Sequence, residues 1–213
     1  MTEQNLNEFQ ITLLRHGESK GNAEGYHQGQ AEFPLTEVGL AQAQALADWW
    51  LTRGQKFDKL ISSPQSRAKQ TAELIAGALE LEIKFDPVWM ERDNGNLSGM
   101  KFEEARVKFP QSEFINLYEP IGQTGESIWD LYVRGGRAIT SVINGKPGSY
   151  LVVSHGGLLN MTLRAILGIA PQPNFQNPRF RFRNTAFVTL TYRPDRHIWH
   201  VQGVNARPHW DGD

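Results

Sequence analysis

The sequence contains no cysteine in its 213 residues. That absence excludes disulfide scaffolds, thiolate zinc sites and cysteine nucleophiles, and it is typical of a reducing compartment. Neither sign of charge is in excess, since 22 Lys and Arg residues stand against 23 Asp and Glu. Such a balance does not favour a broad surface for nucleic acid or for an anionic membrane, and we expect neither partner. A small anionic ligand needs only a local cluster of cations.

Long apolar runs are also missing. The N-terminal segment, MTEQNLNEFQ, has no basic stretch followed by an apolar run and so lacks the pattern of a signal peptide. The most apolar stretch, residues 158–170, is interrupted by Asn160 and Arg164 and is too short to cross a bilayer. We expect a soluble, cytoplasmic protein with one domain over residues 1–213, large enough to fold without a disulfide or a metal.

Hydrophobic periodicity predicts strands that alternate with helices and a hairpin near the end of the chain. The predicted strands are residues 9–14, 57–62, 83–89, 150–154, 184–192 and 197–204. The predicted helices are residues 36–54, 63–81 and 158–167. This order indicates an α/β sandwich whose sheet is mostly parallel, with an antiparallel edge.

Residues 94–124 show no strong period. Their four aromatic residues (Phe102, Phe109, Phe114 and Tyr118) indicate an excursion that covers a site. We find no internal repeat and no low-complexity segment.

Three arginines, Arg179, Arg181 and Arg183, alternate with two phenylalanines. This pattern favours an edge strand with solvated arginines and one packed phenylalanine face over a rim that binds substrate.

Three of the predicted parallel strands lead into cationic or imidazole side chains. The first strand ends at Arg15 and His16. The second leads to Arg67 in the first turn of the next helix, and the last leads into His155 and Gly156. Ligands of open α/β sheets bind at the carboxyl ends of the strands, where amides at helix N-termini also point at an anion. We therefore expect these side chains to converge on one anionic ligand.

The residue types suit the transfer of a phosphoryl group. A neutral imidazole is a competent nucleophile toward phosphorus, and a covalent intermediate divides one difficult step into two easier ones. Arginine stabilises charge on the equatorial oxygens through paired hydrogen bonds and a permanent charge. A second histidine can stay protonated beside a phosphate dianion and donate one more hydrogen bond. A small-molecule phosphate monoester is the expected ligand.

The ordered set of motifs resembles the histidine phosphatase superfamily, the phosphoglycerate-mutase-like proteins. The motifs are LLRHGES at 13–19 with Asn22 beyond it, LTEVG at 35–39, SSPQSRAKQTAE at 62–73, ERDNGNLSG at 91–99, TGES at 124–127 and VVSHGG at 152–157. They occur in the family's order over most of the chain. The resemblance implies a phosphoglycerate-mutase-like, three-layer α/β/α fold.

The resemblance also implies a role for each matching residue. His16 would be the phosphorylated nucleophile, and Glu91 would protonate the leaving oxygen and then accept a proton from the attacking water. The implied phosphate-binding and substrate-binding residues are Arg15, Asn22, Gln28, Gly29, Arg67, His155 and Gly156. We expect Glu18 and Glu126 to be structural carboxylates that orient arginines and hold loops. No metal and no cofactor is expected.

The same residues permit three functions. A phosphatase passes the phosphoryl group to water, whereas a cofactor-dependent phosphoglycerate mutase returns it to a hydroxyl of a retained sugar acid. In the family, such mutases carry a long insertion with paired arginines, but only 35 residues lead from Glu91 to Glu126 here, without an arginine pair. Hydrolysis is therefore favoured over the mutase. A non-catalytic phosphate-binding regulatory module is the third alternative, and a homodimer through exposed aromatics such as Trp199 stays open.

Overall fold

The computed structural model describes residues 7–110, 112–176 and 178–212. Most of the N-terminal segment considered above for a signal peptide therefore lies outside the described residues. Within these ranges the strands are β1 (Phe9–Arg15), β2 (Tyr26–His27), β3 (Lys59–Ser62), β4 (Ile83–Phe85), β5 (Met100–Lys101), β6 (Gly148–Ser154), β7 (Phe187–Arg193) and β8 (Ile198–Ala206). The α-helices are α1 (Lys20–Ala23), α2 (Glu37–Thr52), α3 (Ser66–Leu79), α4 (Phe102–Lys108), α5 (Ile128–Ile143) and α6 (Gly156–Ile166).

Six of these strands form one sheet in the order β4-β3-β6-β1-β7-β8. The strands β4, β3, β6 and β1 are parallel, whereas β7 runs antiparallel to β1 and β8 antiparallel to β7. Val152 in β6 lies between Leu13 of β1 and Ile61 of β3. A mostly parallel sheet with an antiparallel edge is the predicted arrangement, and it is confirmed.

Helices cover both faces of the sheet because consecutive strand residues point to opposite sides. Val152 packs in a core cluster with residues of α5 and α6, among them Leu131 and Leu158. Its neighbour Leu151 packs in a second cluster with residues of α2 and α3, among them Leu46 and Ile75. The fold is therefore the expected three-layer α/β/α sandwich.

Capping side chains fix where the helices begin. Thr36 caps α2 and its Oγ1 accepts a hydrogen bond from the Gly39 amide, while Ser127 caps α5 through the Asp130 amide. The helix α3 begins at Ser66, later than predicted from a cap at or near Ser63, because the backbone is still extended at Gln65, which is the N-cap residue. Helix α5 is not among the predicted helices, although Ser127 followed by Asp130 is an N-terminal capping pattern.

Two predicted strands are wrong in extent or in kind. The strand predicted over 83–89 ends at Phe85, because Asp86 caps a short 3-10 helix that Pro87 begins. The edge strand predicted around Arg181 is a loop. There the backbone N–H and C=O of Phe180 both bond to the side chain of Asn160, so no neighbouring strand pairs with them. The prediction that phenylalanine packs against the protein agrees with the structure at Phe182, which is buried.

Among the described residues, no helix combines the length and the apolar character that crossing a membrane requires.

We expect Leu151→Ala to lower the free energy of unfolding by about 2–5 kcal/mol, because Leu151 is fully buried in a central strand and its loss leaves a cavity. Val107→Ala is the matched control, since Val107 is 82% exposed, and its effect should stay within about 0.5 kcal/mol. Chemical denaturation measures both. Equal effects of the two substitutions would contradict the placement of the core.

Candidate active site

A cavity of about 580 Å³ lies at the carboxyl ends of β1, β3 and β6. Arg15 and His16 reach it from the end of β1, and Arg67 reaches it from the first turn of α3. His155 is the N-cap residue of α6, and its ring centroid lies 5.1 Å from that of His16. The four side chains that the sequence singled out are thus brought together.

The imidazole of His16 is 2% exposed and is held in one tautomer. Its Nδ1 lies 2.6 Å from the carbonyl oxygen of Gly17, which can only accept, so Nδ1 carries the proton and Nε2 carries the lone pair. Burial, followed by the charges of Arg67 and Arg15, holds the pKa of His16 well below its ordinary value. At neutral pH the ring is therefore unprotonated, with the lone pair on Nε2.

Backbone carbonyls hold the two arginines beside His16. Arg67 donates to the carbonyl oxygens of Gly29 (2.8 Å) and Ala31 (3.1 Å), and Arg15 donates to that of Phe182 (2.6 Å). Burial lowers the pKa of Arg67 to about 10, partly offset by Glu91 and Glu32, so it stays cationic at neutral pH. Because carbonyl dipoles and not carboxylates take these hydrogen bonds, both positive charges remain available to an anion.

His155 is fully buried, and its Nε2 lies 2.8 Å from the hydroxyl of Ser63. Burial lowers the pKa of His155 well below its ordinary value, and the nearby Arg67 and His16 act in the same direction. Without an anion the ring is therefore neutral. The protonated state expected from the sequence requires the negative charge of a bound phosphate.

Three buried nitrogens at this point have no hydrogen-bond partner among the described residues. They are Nε of Arg15, Nε of Arg67 and Nδ1 of His155. Buried polar atoms of folded proteins are almost always paired, and leaving one unpaired costs about 1–3 kcal/mol. All three belong to side chains grouped around His16, so the unpaired nitrogens surround the candidate nucleophile.

Glu91 lies at the N-terminus of α6. One carboxylate oxygen accepts from the Gly157 amide (3.0 Å), and the other accepts from the amides of Leu158 (3.1 Å) and Arg92 (2.8 Å). These bonds hold the carboxylate at the wall of the cavity, facing the arginines. The helix N-terminus therefore binds a side chain of the protein itself, in addition to any backbone amide that meets the phosphate near Gly156.

The remaining predicted residues also line the cavity: Asn22, Gln28, Gly29 and Gly156. Asn22 Oδ1 accepts from Asn184, and Gln28 Oε1 accepts from the Ser19 hydroxyl. The backbone of Gly29 is left-handed (φ 48°), where a side chain would collide with Ser98 Oγ at 2.7 Å. Its carbonyl, rather than the amide expected from the sequence, makes the observed contacts, to Gln65 and Arg67.

Sequence reasoning missed the residue that positions Glu91. Arg134 forms a bidentate ion pair with Glu126 (2.8 and 2.7 Å) and donates to the carbonyls of Val88, Met90 and Glu91. Glu126 thus orients an arginine and holds a loop, as expected, but the arginine lies on α5. Glu18 accepts from the Thr36 hydroxyl at 2.7 Å and fastens the start of α2. The spacing of eight residues between Glu126 and Arg134 spans a cap and two helical turns, which no local pattern reveals.

The lowered pKa values of His16 and His155 predict how stability depends on pH. Below pH 6.5 these histidines bind protons in the unfolded chain but not in the folded chain. The free energy of unfolding therefore falls as the pH falls. Each histidine contributes up to about 1.4 kcal/mol per pH unit between its folded pKa and 6.5. Denaturation of the ligand-free protein between pH 5 and pH 7.5 measures the slope. The variants His16→Gln and His155→Gln should each flatten it, and three identical slopes would contradict the neutral imidazoles.

Known proteins share this sequence and this fold. A protein from Yersinia pestis (strain Pestoides F) with the curated name "Probable phosphoglycerate mutase GpmB" is 32% identical over 210 residues, covering 95% of both chains. The structure of Bacillus stearothermophilus YhfR superposes with a TM-score of 0.81 at 27% identity, over 94% of this chain and 98% of that one. Entamoeba histolytica phosphoserine phosphatase in complex with 3-phosphoglyceric acid has a TM-score of 0.77 at 25% identity, with the same coverage.

A family model supports the same assignment. The model of the histidine phosphatase superfamily (branch 1) matches residues 11–207, from the middle of β1 to the residue after β8. The match contains every residue of the candidate active site, and the family consists of the phosphoglycerate-mutase-like proteins that the sequence motifs resemble. The chain belongs to the histidine phosphatase superfamily.

Proposed function

We propose that this chain hydrolyses small-molecule phosphate monoesters through a phosphohistidine intermediate on His16. The observation that carries the proposal is the neutral imidazole of His16, with its Nε2 available, beside three buried nitrogens that lack partners among the described residues. The candidate nucleophile lies among the groups that would bind an oxyanion. That combination suits a substrate whose phosphorus must be attacked while its oxygens are held.

In the first step, Nε2 of His16 forms a bond to phosphorus while the bond from phosphorus to the ester oxygen breaks. Glu91 donates a proton to that oxygen, which leaves as an alcohol. Arg15 and Arg67 stabilise the charge on the equatorial oxygens, which supplies most of the catalysis in phosphoryl transfer. The positive charge that develops on the ring is stabilised at Nδ1 by the carbonyl oxygen of Gly17.

In the second step, water attacks the phosphorus, and the bond to Nε2 breaks. Glu91, now ionised, accepts a proton from the water, and phosphate leaves with His16 neutral again. General acid–base assistance of this kind contributes about 10²–10⁴ in rate. Backbone amides hold Glu91 at the cavity wall, where one carboxyl group can serve in both steps.

A mutase is the second candidate, and the curated name of the Yersinia pestis relative supports it. Two observations favour hydrolysis. The phosphoserine phosphatase from Entamoeba histolytica has the same fold at 25% identity. Between residues 94 and 124, the residues that line the cavity are Asn94 and Phe102, so this segment brings no cation to it that would retain a sugar acid.

The direct test uses His16→Ala. The purified protein should hydrolyse p-nitrophenyl phosphate without added metal, and the variant should lose about 10³-fold or more in kcat, because the nucleophile is gone. His200→Ala, on the exposed strand β8, is the matched control. Rapid quenching should trap a phosphorylated enzyme in the parent protein and none in His16→Ala. Isomerisation of phosphoglycerate faster than phosphate release would make the mutase the correct function.

Gly157→Ala tests the role of Glu91. A methyl group at residue 157 would overlap Glu91 Oε1, so the carboxylate must move away while the fold is retained. The rate should fall about 10²-fold or more for an alkyl phosphate, whose leaving oxygen needs a proton. It should fall much less for p-nitrophenyl phosphate, whose leaving group departs unprotonated.

Gly136→Ala is the control for that substitution. It adds the same methyl group in a helix, where the nearest atom is an ordinary 3.7 Å away. Equal losses on both substrates would argue against proton donation by Glu91.

A further inference from the structure

The backbone of the candidate nucleophile is held by two residues of the loop that leads into β7. The N–H of Thr185 donates to the carbonyl oxygens of Arg15 (3.1 Å) and His16 (3.3 Å). The side chain of Asn184, 168 residues away from His16 in the chain, donates to the carbonyl oxygen of His16 at 3.1 Å. These carbonyls belong to the peptide groups before and after the Cα of His16. The loop before β7 therefore fixes the backbone from which the imidazole extends.

Thr185 has a backbone conformation that is unfavourable for its own side chain. Its φ is 55°, in the left-handed region, and it alone is β-branched among the described non-glycine residues with positive φ. Glycine adopts this conformation without strain. Residues held in such a conformation persist where the surrounding structure fixes them, and they concentrate at functional sites. The threonine side chain therefore indicates a contact that glycine could not make.

His209, in the segment after β8, makes that contact. Its Nε2 lies 3.0 Å from the hydroxyl oxygen of Thr185, and Thr185 is fully buried. The hydroxyl donates its single proton to the carbonyl oxygen of Asn184 (2.7 Å), so it can only accept from the imidazole. Burial, followed by the charge of Arg207, lowers the pKa of His209 to about 4, so the ring is neutral at neutral pH. The neutral imidazole thus donates from Nε2 to Thr185.

The segment that carries His209 is attached to the same loop. The side chain of Asn205, near the end of β8, accepts from the N–H of Arg183 at 2.8 Å. Beyond β8 the chain turns back on itself, since the N–H of Trp210 donates to the carbonyl oxygen of Arg207 (3.3 Å). His209 is not among the described residues that line the cavity. Any effect of His209 on the reaction must therefore pass through the loop.

We propose that His209 is a positioning residue for the phosphoryl transfer. Its hydrogen bond fixes Thr185, and the N–H of Thr185 fixes the carbonyls on either side of the His16 Cα. This sets the direction in which the imidazole of His16 faces the phosphorus. The inference rests on the proposed function and adds to it a residue outside the cavity. A displacement of about 1 Å at a reacting group can cost about 10²-fold in rate, so a remote contact of this kind can control the reaction.

The first test uses His209→Phe, which keeps an aromatic ring and removes the N–H donor. The rate constant of phosphohistidine formation, measured by rapid quenching at saturating p-nitrophenyl phosphate, should fall about 10-fold. The affinity for inorganic phosphate, measured by calorimetry, should stay within about 2-fold, because Arg15 and Arg67 keep their own backbone contacts. An unchanged rate constant would overturn the proposal. A parallel loss of phosphate affinity would also overturn it, since that result indicates general damage to the site.

His209→Gln distinguishes the hydrogen bond from simple packing. The amide of glutamine carries N–H donors, so this variant should return the rate constant to within about 3-fold of the parent value. A loss as large as that of His209→Phe would contradict the role of the bond. His197→Ala is the matched control, because it removes another contact between a histidine and a hydroxyl, to Tyr192 at 2.8 Å. His197 lies at the turn between β7 and β8, so the parent rate should remain.

A double-mutant cycle tests whether the effect passes through Thr185. Thr185→Val keeps the branched side chain and removes the hydroxyl group. If His209 acts through that hydroxyl, the double variant with His209→Phe should be no slower than the slower single variant. Two losses that multiply would show independent effects and would overturn the proposed path.

Hydrogen exchange tests the same path without a substrate. In His209→Phe the amide of Thr185 should exchange about 10-fold faster than in the parent protein, because its loop is less firmly held. The amide of Ile11, in the middle of β1, should exchange at the parent rate. Unchanged exchange at Thr185 would overturn the positioning role even in an active phosphatase. Absence of any phosphohistidine in the parent protein would instead overturn the proposed function, and with it the role of His209 in the reaction.

Discussion

The site depends on buried positive charge whose hydrogen bonds go to backbone carbonyls rather than to carboxylates. Arg67 is 1% exposed, and the groups that hold it are the carbonyls of Gly29 and Ala31. Carbonyl dipoles orient a guanidinium but leave its net charge in place. The electric field of that charge therefore acts on the neighbouring side chains. Burial, aided by this field, keeps the imidazoles of His16 and His155 unprotonated. In the proposed mechanism, the same field would draw a phosphate dianion to the unprotonated ring of His16.

The charged side chains and the two histidines of the site lie on separate elements of the fold. The strands β1 and β6 deliver the two histidines side by side, since Arg15 pairs with Ser154 in the parallel register. The loop after β4 brings Glu91 to the N-terminus of α6, and Arg134 fastens that loop to α5. Because backbone groups hold His16, Arg15, Arg67 and Glu91, and the Ser63 hydroxyl holds His155, little rearrangement is needed when charge develops. Preorganisation of this kind accounts for much of the rate enhancement in many enzymes.

Much of this arrangement could be predicted from the sequence, and the reason is that it depends on local patterns. Buried parallel strands read as short apolar runs, and a cationic residue directly after such a run must lie at the ligand-binding edge of the sheet. That argument found Arg15, His16, Arg67 and His155. It failed where the decisive contact is distant in the chain. Asn160, twenty residues before Phe180 in the chain, bonds to the backbone of Phe180 and holds that segment as a loop. The hydrophobic periodicity of the segment gives no sign of this contact.

The loop around Phe180 also changes how hydrolysis and isomerisation are distinguished. The sequence favours hydrolysis because only 35 residues lead from Glu91 to Glu126, without the paired arginines of the mutases. The structure adds cations to the cavity wall from outside that interval, at Arg164, Arg179 and Arg181. A site that holds a second anion can keep an intermediate in place, so binding alone does not separate the two reactions. The two reactions differ in the group that accepts the phosphoryl group from the phosphohistidine. Water accepts it if the dephosphorylated product leaves first. A hydroxyl of that product accepts it if the product stays and reorients.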